Sequence, residues 1–241
     1  MTQDDAKRMA ARRALKFVAD GMLLGLGSGT TSSIFIQELG ERVKQGLRVR
    51  GIATSIASEQ LAKSLSIPIT TFEESPELDL AIDGADEVGP GLALIKGGGG
   101  ALLREKIVAS AARKFIIIAD ATKLVHHLGR FPLPVEVIQM ALPIVSRKLE
   151  AFGLNPKLRH HPDGSKYITD EGNFILDCSC GEIANPVKTA ANIRGITGVV
   201  EHGLFLGMAS FALIAGEQGV VKIGKWNGER FNKAFQDLHR I

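Results

Sequence analysis

The chain has 241 residues, of which 45% are apolar and 23% charged, with a net charge of +3. This composition is typical of a globular protein and excludes disorder as the dominant state; it also gives no sign of a nucleic-acid partner, which would concentrate basic charge on one face. No apolar run is long enough to span a bilayer, two cysteines make no disulfide framework, and the acidic start at Asp4 and Asp5 argues against a signal or transit peptide. We therefore expect a cytoplasmic protein with no membrane partner.

Helical and strand-like patterns alternate over the first 130 residues. In chain order they predict a helix at 4–19, a strand at 22–27, a helix at 31–45, a strand at 49–53, a helix at 55–65, strands at 67–72 and 78–83, a helix at 101–113 and a strand at 114–119. Strands that alternate with helices form βαβ units and a mostly parallel sheet. The predicted fold class is therefore α/β.

The pattern changes near Pro132 and Pro134. It then predicts a strand at 135–140, a helix at 143–152, strands at 157–160 and 174–178, a helix that begins at Asn185-Pro186 and a strand at 199–205. The order βαββαβ is the split βαβ, or ferredoxin-like, arrangement. The sequence thus predicts a larger domain of residues 1–131 and 207–241 and a smaller α+β domain of residues 132–206. Two strands within 209–224 should return to the first sheet, and the tail from Lys225 is expected to form a helix.

Glycine accounts for 27 residues, concentrated in a few clusters. The first cluster, GLGSGTT at 25–31, lies between a predicted strand and a predicted helix, where free backbone N–H groups and the helix dipole favour an anion. Thr30 stands where the dinucleotide fingerprint needs Gly, and no Gly-Lys-Ser/Thr follows for a Walker loop. Two interpretations remain: a cradle for a small phosphomonoester, or a tight turn in which glycine serves packing.

The second cluster, DGADE at 83–87, follows the apolar strand predicted at 78–83. Ligands of open α/β sheets bind beyond the carboxyl ends of strands. Three carboxylates in five residues perturb each other's protonation, which suits proton transfer. A Mg²⁺ or Ca²⁺ site and a solvated acidic turn are the alternatives.

The third cluster, KGGGG at 96–100, precedes a predicted helix that carries Arg104, Glu105 and Lys106. Four consecutive glycines cost folding entropy, which suggests a ligand that needs bare backbone at a helix N-terminus. Lys96 is a natural electrostatic partner for a developing enolate oxygen. Glu105 is either a general base or only a favourable charge near the helix dipole. Lys123 follows another predicted strand, and taken by itself it is interpreted as a surface lysine.

Together with GRFPLPVE at 129–136, LD at 176–177 and GLF at 203–205, these segments resemble ribose-5-phosphate isomerase of type A in their order and intervals, from the first residues to about Lys222. The resemblance implies a Rossmann-like domain with a smaller α+β domain. It implies an aldose–ketose isomerase that interconverts D-ribose 5-phosphate and D-ribulose 5-phosphate through an enediolate, in the non-oxidative branch of the pentose phosphate pathway. It further implies no metal, no cofactor and a homo-oligomer, either a dimer or a tetramer. The segment CSC at 178–180 and the extension 225–241 lie outside the resemblance.

The resemblance also implies roles for individual residues. Glu105 matches the base that moves a proton between C1 and C2, and Lys96 matches the group that stabilises the enediolate. Asp83 matches the acid–base group associated with opening of the furanose ring, and Asp86 matches its neighbour that contacts substrate hydroxyls. The implied substrate-binding residues are Ser28, Gly29, Thr30, Thr31, Gly84, Ala85, Gly97, Gly98, Gly99, Lys123 and, near the phosphate, Lys7.

Two other functions compete with this one. A sugar-phosphate sensor would keep the phosphate cradle but need no acid–base set, so the joint presence of Asp83, Asp86, Lys96 and Glu105 argues against it. A coenzyme A transferase of related fold would use a nucleophilic Glu and would need room for a nucleotide. Cys178 and Cys180, combined with the His pairs at 126–127 or 160–161, fit no common zinc spacing.

Overall fold

The structure is a computed structural model that describes residues 1–225 and 228–239. Its helices are α1 (Gln3–Leu15), α2 (Gly29–Lys44), α3 (Ile56–Ser64), α4 (Leu102–Ala111), α5 (Leu142–Ala151), α6 (Pro186–Arg194) and α7 (Gly228–His239). Its strands are β1 (Leu23–Leu26), β2 (Arg50–Ala53), β3 (Leu80–Asp83), β4 (Glu87–Val88), β5 (Leu94–Ile95), β6 (Phe115–Asp120), β7 (Leu133–Val137), β8 (Pro156–Leu158), β9 (Phe174–Cys178), β10 (Val199–His202), β11 (Leu204–Phe205), β12 (Phe211–Gly216) and β13 (Gly219–Ile223). Within the described ranges, every helix falls short of the length and apolar character that a membrane span requires.

The largest sheet has six strands in the order β13-β12-β6-β3-β1-β2. All neighbours run parallel except β12 and β13, which form an antiparallel hairpin. Buried apolar residues of α1 and α2 cover one face, and those of α4 and α7 cover the other. This arrangement confirms the Rossmann-like α/β class and the return of residues 209–224 to the first sheet.

A second sheet has four strands in the order β10-β7-β9-β8, and every pair is antiparallel. The elements follow the predicted order βαββαβ, with α5 and α6 as the two helices. Their buried apolar side chains form a separate core cluster that includes Val135, Leu149, Leu176 and Ile193. The smaller α+β unit is therefore confirmed as ferredoxin-like, while its boundaries at 132 and 206 stay a prediction.

A third sheet of three short strands, β11-β5-β4, was not predicted. Each strand has only two residues, which is too short to produce an alternating pattern. The strand predicted at 199–205 is in fact two strands in different sheets, divided at Gly203. The backbone of Gly203 pairs with that of Lys96 (N···O 2.9 Å), and a β-carbon on Gly203 would lie 2.3 Å from the Lys96 carbonyl oxygen. The small sheet thus holds Lys96 at the end of β5.

Other differences from the predicted elements are local. The strand predicted at 67–72 is wrong, since only a single bridge joins Ile69 to Gly51; the neighbouring Pro68 has no N–H to extend the pairing. The first helix ends at Leu15 instead of residue 19, and β7 spans Leu133–Val137 instead of 135–140. The helix predicted in the tail is present as α7, while residues 226, 227, 240 and 241 of that prediction lie outside the described residues.

The helix N-termini differ in how their free N–H groups are satisfied. Thr2 and Asp5 form a reciprocal capping box at α1. The Asn185 side chain accepts a hydrogen bond from the Lys188 N–H (2.9 Å), which confirms the predicted Asn-Pro start of α6. At α2 the N-cap residue, Ser28, makes no such side-chain bond. The first N–H groups of α2 therefore remain available to another acceptor.

Candidate active site

The carboxyl ends of β1, β3 and β6 meet at one edge of the six-stranded sheet, and the loops that follow help enclose a cavity of about 270 Å³. This volume lies just below the roughly 300–1,000 Å³ common for ligand cavities, so the cavity suits a small ligand better than a nucleotide. It is lined by Gln3, Lys7, Ser28, Gly29, Thr30, Thr31, Gly84, Ala85, Asp86, Lys96, Gly97, Gly98, Gly99, Glu105 and Lys123. The structure thus brings together every substrate-binding residue named from the sequence and three of the four catalytic candidates.

The fourth candidate, Asp83, lies behind this lining at the end of β3 and is only 2% exposed. Its Oδ1 accepts hydrogen bonds from the Ser28 N–H (3.0 Å), the Ser32 hydroxyl (2.9 Å) and the Gly84 N–H (2.7 Å). A β-carbon on Gly27 would lie 2.1 Å from this oxygen, so glycine is required there for the carboxylate to fit. The other oxygen, Oδ2, faces Lys96. Asp83 is therefore rigidly held by one oxygen and free to act through the other.

Lys96 connects the two buried carboxyl groups of the site. Its Nζ lies 2.9 Å from Asp83 Oδ2 and 3.3 Å from Glu105 Oε2, and it donates to the Gly84 carbonyl oxygen at 2.6 Å. Burial alone would lower the pKa of this lysine, but the negative charges of Asp83 and Glu105 outweigh burial and raise it. Lys96 is therefore held as an ammonium ion on the wall of the cavity.

Glu105 lies in the first turn of α4 and is 5% exposed. Burial raises the pKa of its carboxyl to about 8; Lys96 opposes this shift, while Asp83 and Asp86 add to it. Its Oε2 makes no hydrogen bond within the described residues apart from the ion-pair contact with Lys96. A carboxyl group that takes up and releases a proton near neutral pH has the property that a general base requires.

The acidic cluster at 83–87 is divided by the fold. Asp86 lines the cavity, and its Oδ2 accepts a hydrogen bond from the Gly98 N–H at 2.7 Å. Glu87 is buried on β4 and accepts from the N–H groups of Gly129 (2.7 Å) and Phe131 (2.6 Å). The expectation that three carboxylates crowd together is therefore wrong for Glu87, because the pleat of β4 directs it to a neighbouring loop.

One end of the cavity combines free backbone N–H groups with two lysines. The N-terminus of α2 contributes Gly29, Thr30 and Thr31, and its first turn contains no acidic residue. The Ser28 hydroxyl does not compete for these N–H groups, because it bonds the Thr54 hydroxyl at 2.6 Å. Lys7 of α1 and Lys123, which follows β6, add positive charge to the same cavity. Free N–H groups at a helix N-terminus with nearby ammonium groups are chemically suited to a phosphate group.

Sequence reasoning missed two residues of this region. Gln3 lines the cavity, and its side-chain amide donates to Asp120 at the end of β6 (3.3 Å). Ser32 is fully buried in α2, donates to Asp83 and accepts from the Gly84 N–H at 3.1 Å. Asp120 stands at the end of a predicted strand, so the sequence places it at the carboxyl edge of the sheet. That Gln3 lies beside it becomes evident only when the position of the first helix is known.

For the acidic residues at 83–87, the sequence also allows interpretation as a Mg²⁺ or Ca²⁺ site. No group of three or more His, Cys, Asp or Glu side chains within the described ranges is arranged to hold a metal ion. The Lys96 ammonium lies between Asp83 and Glu105, in the place that a cation would take. Cys178 and Cys180 are free thiols, and burial raises the pKa of each, which disfavours the thiolate that binds a metal.

Comparison with known proteins shows which family this chain belongs to. The sequence model of ribose 5-phosphate isomerase A (phosphoriboisomerase A) matches residues 50–219. The ribose-5-phosphate isomerase A of Bartonella bacilliformis is 50% identical over 228 residues, which cover 92% of this chain and 98% of that protein. The one from Roseiflexus castenholzii is 52% identical over 220 residues, which cover 90% and 94%.

Solved structures give the same result. The ribose 5-phosphate isomerase A of Methanocaldococcus jannaschii superposes with a TM-score of 0.89 at 41% identity, covering 93% of this chain and 100% of that one. A D-ribose-5-phosphate isomerase in complex with phospho-erythronic acid superposes with a TM-score of 0.90 at 38% identity, with the same coverage. The chain therefore belongs to the ribose 5-phosphate isomerase A family.

Proposed function

We propose that Glu105 is the base with which this isomerase interconverts D-ribose 5-phosphate and D-ribulose 5-phosphate through an enediolate, as a step of the non-oxidative pentose phosphate pathway. The observation that carries the assignment is the pair Glu105 and Lys96. A carboxyl group whose pKa is raised to about 8 and an ammonium group lie 3.3 Å apart on the wall of a small polar cavity. Proton removal next to a carbonyl needs such a base and such a stabilising charge.

The proton moves as follows in the direction from aldose to ketose. The Glu105 carboxylate removes the proton from C2 of the open-chain sugar, and the C–H electron pair forms the C1–C2 double bond of an enediolate. Glu105 then returns the proton to C1, while the proton of the C2 hydroxyl passes to the oxygen of C1. Because one group serves as base and then as acid, its pKa must lie near the working pH.

Lys96 stabilises the negative charge that forms on the substrate oxygens. Its three protons already have three acceptors: Asp83, the Gly84 carbonyl and Glu105. The contact with Glu105 is the longest of the three, at 3.3 Å. Substrate can therefore replace Glu105 as the third acceptor, which frees the carboxylate and places a substrate oxygen against the ammonium.

Asp83 and Asp86 are the proposed groups for the earlier steps. Asp83 keeps Oδ1 fixed by three donors, and among the described residues only Lys96 lies at Oδ2, so the proton exchanged in opening of the furanose ring would pass through Oδ2. Asp86 faces the cavity and can accept from substrate hydroxyls while it retains the Gly98 N–H.

The remaining substrate-binding residues divide between the two ends of the sugar phosphate. We place the phosphate on the N–H groups and hydroxyls of residues 28–31, with Lys7 and Lys123 as counter-charges. The backbone at Gly84, Ala85 and Gly97–Gly99 then borders the carbon chain. Phosphate binding at this distance from the reacting carbons holds them in place and contributes to the rate.

The competing functions fit less well. A coenzyme A transferase would need a nucleotide-sized space beside its nucleophilic Glu, whereas the cavity that Glu105 lines measures about 270 Å³. A sensor would gain nothing from an ammonium group buried against two carboxyl groups, since such burial is costly unless it serves chemistry. The relative solved with phospho-erythronic acid supports the enediolate, because the planar carboxylate of a sugar acid resembles the two oxygens of that intermediate.

The decisive test is Glu105→Gln, assayed with ribose 5-phosphate by the appearance of ketose. The amide keeps the shape of the side chain but cannot take up a proton, so we expect kcat to fall by about 10²–10⁴-fold while phospho-erythronic acid still binds. Glu38→Gln is the matched control, because Glu38 is ion-paired with Arg8 and Arg12 outside the cavity. A Glu105→Gln variant with more than half of the wild-type kcat would exclude Glu105 as the base.

We also propose that the chain works in the cytoplasm as a homodimer or tetramer. Two free thiols suit a reducing compartment. The smaller unit exposes large apolar side chains at Met140, Ile144 and Val187, which favours contact with another copy. Sedimentation equilibrium of the purified chain measures this directly, and a monomer at all concentrations would contradict it.

A further inference from the structure

Arg159 reaches from the smaller unit to the glycine loop of the cavity. It follows β8, and its guanidinium is largely buried, with 13% of the side chain exposed. Nε and Nη2 donate to the two carboxylate oxygens of Asp177. The remaining nitrogen, Nη1, donates to the carbonyl oxygens of Gly97 (3.0 Å) and Gly98 (3.1 Å). All three nitrogens of Arg159 are thus used in one fixed arrangement.

These bonds fix the direction of two successive peptide groups. In the peptide that joins Gly97 to Gly98, the carbonyl binds Arg159 and the N–H binds Asp86 at 2.7 Å. The C=O and N–H of a trans peptide point in opposite directions, so Asp86 lies on the side away from Arg159, where the cavity is. The next peptide also directs its carbonyl to Arg159, and its N–H, that of Gly99, must therefore point to the cavity side as well.

The Gly99 N–H is an unused donor of this loop. Within the described residues it makes no hydrogen bond, and a β-carbon on Gly99 would meet nothing within 4 Å. On the outer side of the loop, the Tyr167 hydroxyl donates to the Gly99 carbonyl at 3.2 Å, and the Tyr167 ring lies against the Arg159 guanidinium. Three consecutive carbonyls are thus held from the smaller unit. The N–H groups of Gly98 and Gly99 face the cavity, while that of Gly100 donates to the Gly97 carbonyl oxygen at 2.9 Å.

We propose that Arg159 is a positioning residue for the isomerisation. It orients the Gly97–Gly99 backbone so that the Gly99 N–H donates to a substrate oxygen and Asp86 keeps its place at the Gly98 N–H. A loop of consecutive glycines has no side chains of its own to fix it, and its many accessible conformations explain why an external anchor is needed. This inference rests on the proposed function, because the positioned donors act on the substrate of that reaction.

The test compares Arg159→Ala and Arg159→Lys with the wild type on ribose 5-phosphate. The alanine variant loses the bonds from the guanidinium to both carbonyls and leaves only the Gly100 N–H on the Gly97 carbonyl, and kcat/KM should fall on the order of 10²-fold, as misplacement of about 1 Å can cause. Lysine retains a charge but cannot bind Asp177 and both carbonyls at once, so its loss should be intermediate. Guanidinium ion at millimolar, non-denaturing concentration can occupy the space that alanine leaves and should restore much of the activity, whereas methylammonium should not.

Arg48→Ala is the matched control. Arg48 also donates from Nε and Nη2 to a carboxylate, that of Asp20, although both nitrogens bind the same oxygen; this pair is exposed and lies outside the cavity lining. The control should keep wild-type kcat/KM, with or without guanidinium. If Arg159→Ala cannot be obtained folded, Asp177→Asn replaces it: this variant leaves Arg159 in place, loosens its anchor and should lower kcat/KM in the same direction.

The outcomes separate the possible explanations. A loss in Arg159→Ala that guanidinium recovers supports the positioning role. Activity within two-fold of the wild type overturns it, and so does a loss that guanidinium fails to recover, because the effect is then one of general folding. If Asp177→Asn is the variant used, unchanged kcat/KM overturns the role. A wild-type chain that does not isomerise ribose 5-phosphate would instead refute the proposed function.

Discussion

Replacement of Lys96 by methionine tests whether this ammonium holds the buried carboxyl groups together. Asp83, Lys96 and Glu105 are 2%, 2% and 5% exposed, so water cannot substitute for the lost charge. Lys96→Met keeps most of the side-chain volume but leaves Asp83 Oδ2 without its 2.9 Å partner. Removal of one member of a buried ion pair typically costs about 3–5 kcal/mol, and we expect a loss of this size in the free energy of unfolding.

The assay is urea unfolding followed by circular dichroism, for the wild type, Lys96→Met, Asp83→Asn and the double variant. An asparagine at 83 can still accept through Oδ1 from Ser28, Ser32 and Gly84, but it carries no charge that needs Lys96. The double variant should therefore be less destabilised than the sum of the two single variants, by about 0.5–3 kcal/mol for groups in contact. All three variants should lose activity.

Two results would refute this reasoning. A Lys96→Met variant within about 1 kcal/mol of the wild type would show that water or a rearranged side chain compensates the carboxylate. Strictly additive losses would show that Lys96 and Asp83 do not interact appreciably. Either outcome would also weaken the argument that Lys96 is poised to receive the charge of an enediolate.

Three further predictions concern activity. Because the pKa of Glu105 is raised to about 8 and only its carboxylate removes a proton, kcat/KM should fall as the pH drops below about 8. Asp86→Asn removes a negative charge that raises this pKa and should shift the acid side of the pH profile to lower pH. A profile that does not shift would count against Glu105 as the base. Thr31→Val should lower kcat/KM for ribose 5-phosphate by about ten- to a hundred-fold, as expected for a lost hydrogen bond of roughly 1.5–3 kcal/mol to a charged group. The same variant should be inhibited less by inorganic phosphate. An equal loss of kcat/KM on unphosphorylated ribose would show that the hydroxyl only supports the loop. Activity should survive exhaustive chelation with EDTA because Lys96 occupies the place of a cation, and a loss that Mg²⁺ or Zn²⁺ restores would make Asp83 a ligand.

The parts of the site that could be predicted from the sequence are those encoded locally. Glycines beside a strand end predicted the loop at 25–31, and the strand at 78–83 placed Asp83 at the carboxyl edge of the sheet, because parallel strands end together there. Glu105 could be identified as a candidate because it lies one turn into a predicted helix that follows four glycines. For Glu105 the residues alone left two interpretations open, and its burial against Lys96 favours the base.

The parts that could not be predicted depend on contacts between distant residues. Arg159 lies more than 60 positions from the glycine loop that it holds, and nothing in its own neighbourhood indicates a role. Glu87 resembles its acidic neighbours in sequence, yet β4 turns it towards Gly129 and Phe131. The two-residue strands that fix Lys96 are too short to give a pattern. Long-range pairing of this kind can be seen only in the folded chain.

Hydrogen exchange with solvent tests the central claim, that Glu105 moves a proton between C1 and C2 through an enediolate. The measurement incubates ribose 5-phosphate with the chain in D₂O and follows deuterium at C1 of ribulose 5-phosphate and at C2 of recovered ribose 5-phosphate by NMR. We predict that the wild type introduces deuterium at both positions as turnovers accumulate, and that Glu105→Gln introduces almost none over the same time. Wild-type exchange by Glu105→Gln would contradict the account, and so would the absence of deuterium from both sugars after many turnovers at equilibrium, when the carboxyl proton of Glu105 has had time to exchange with solvent.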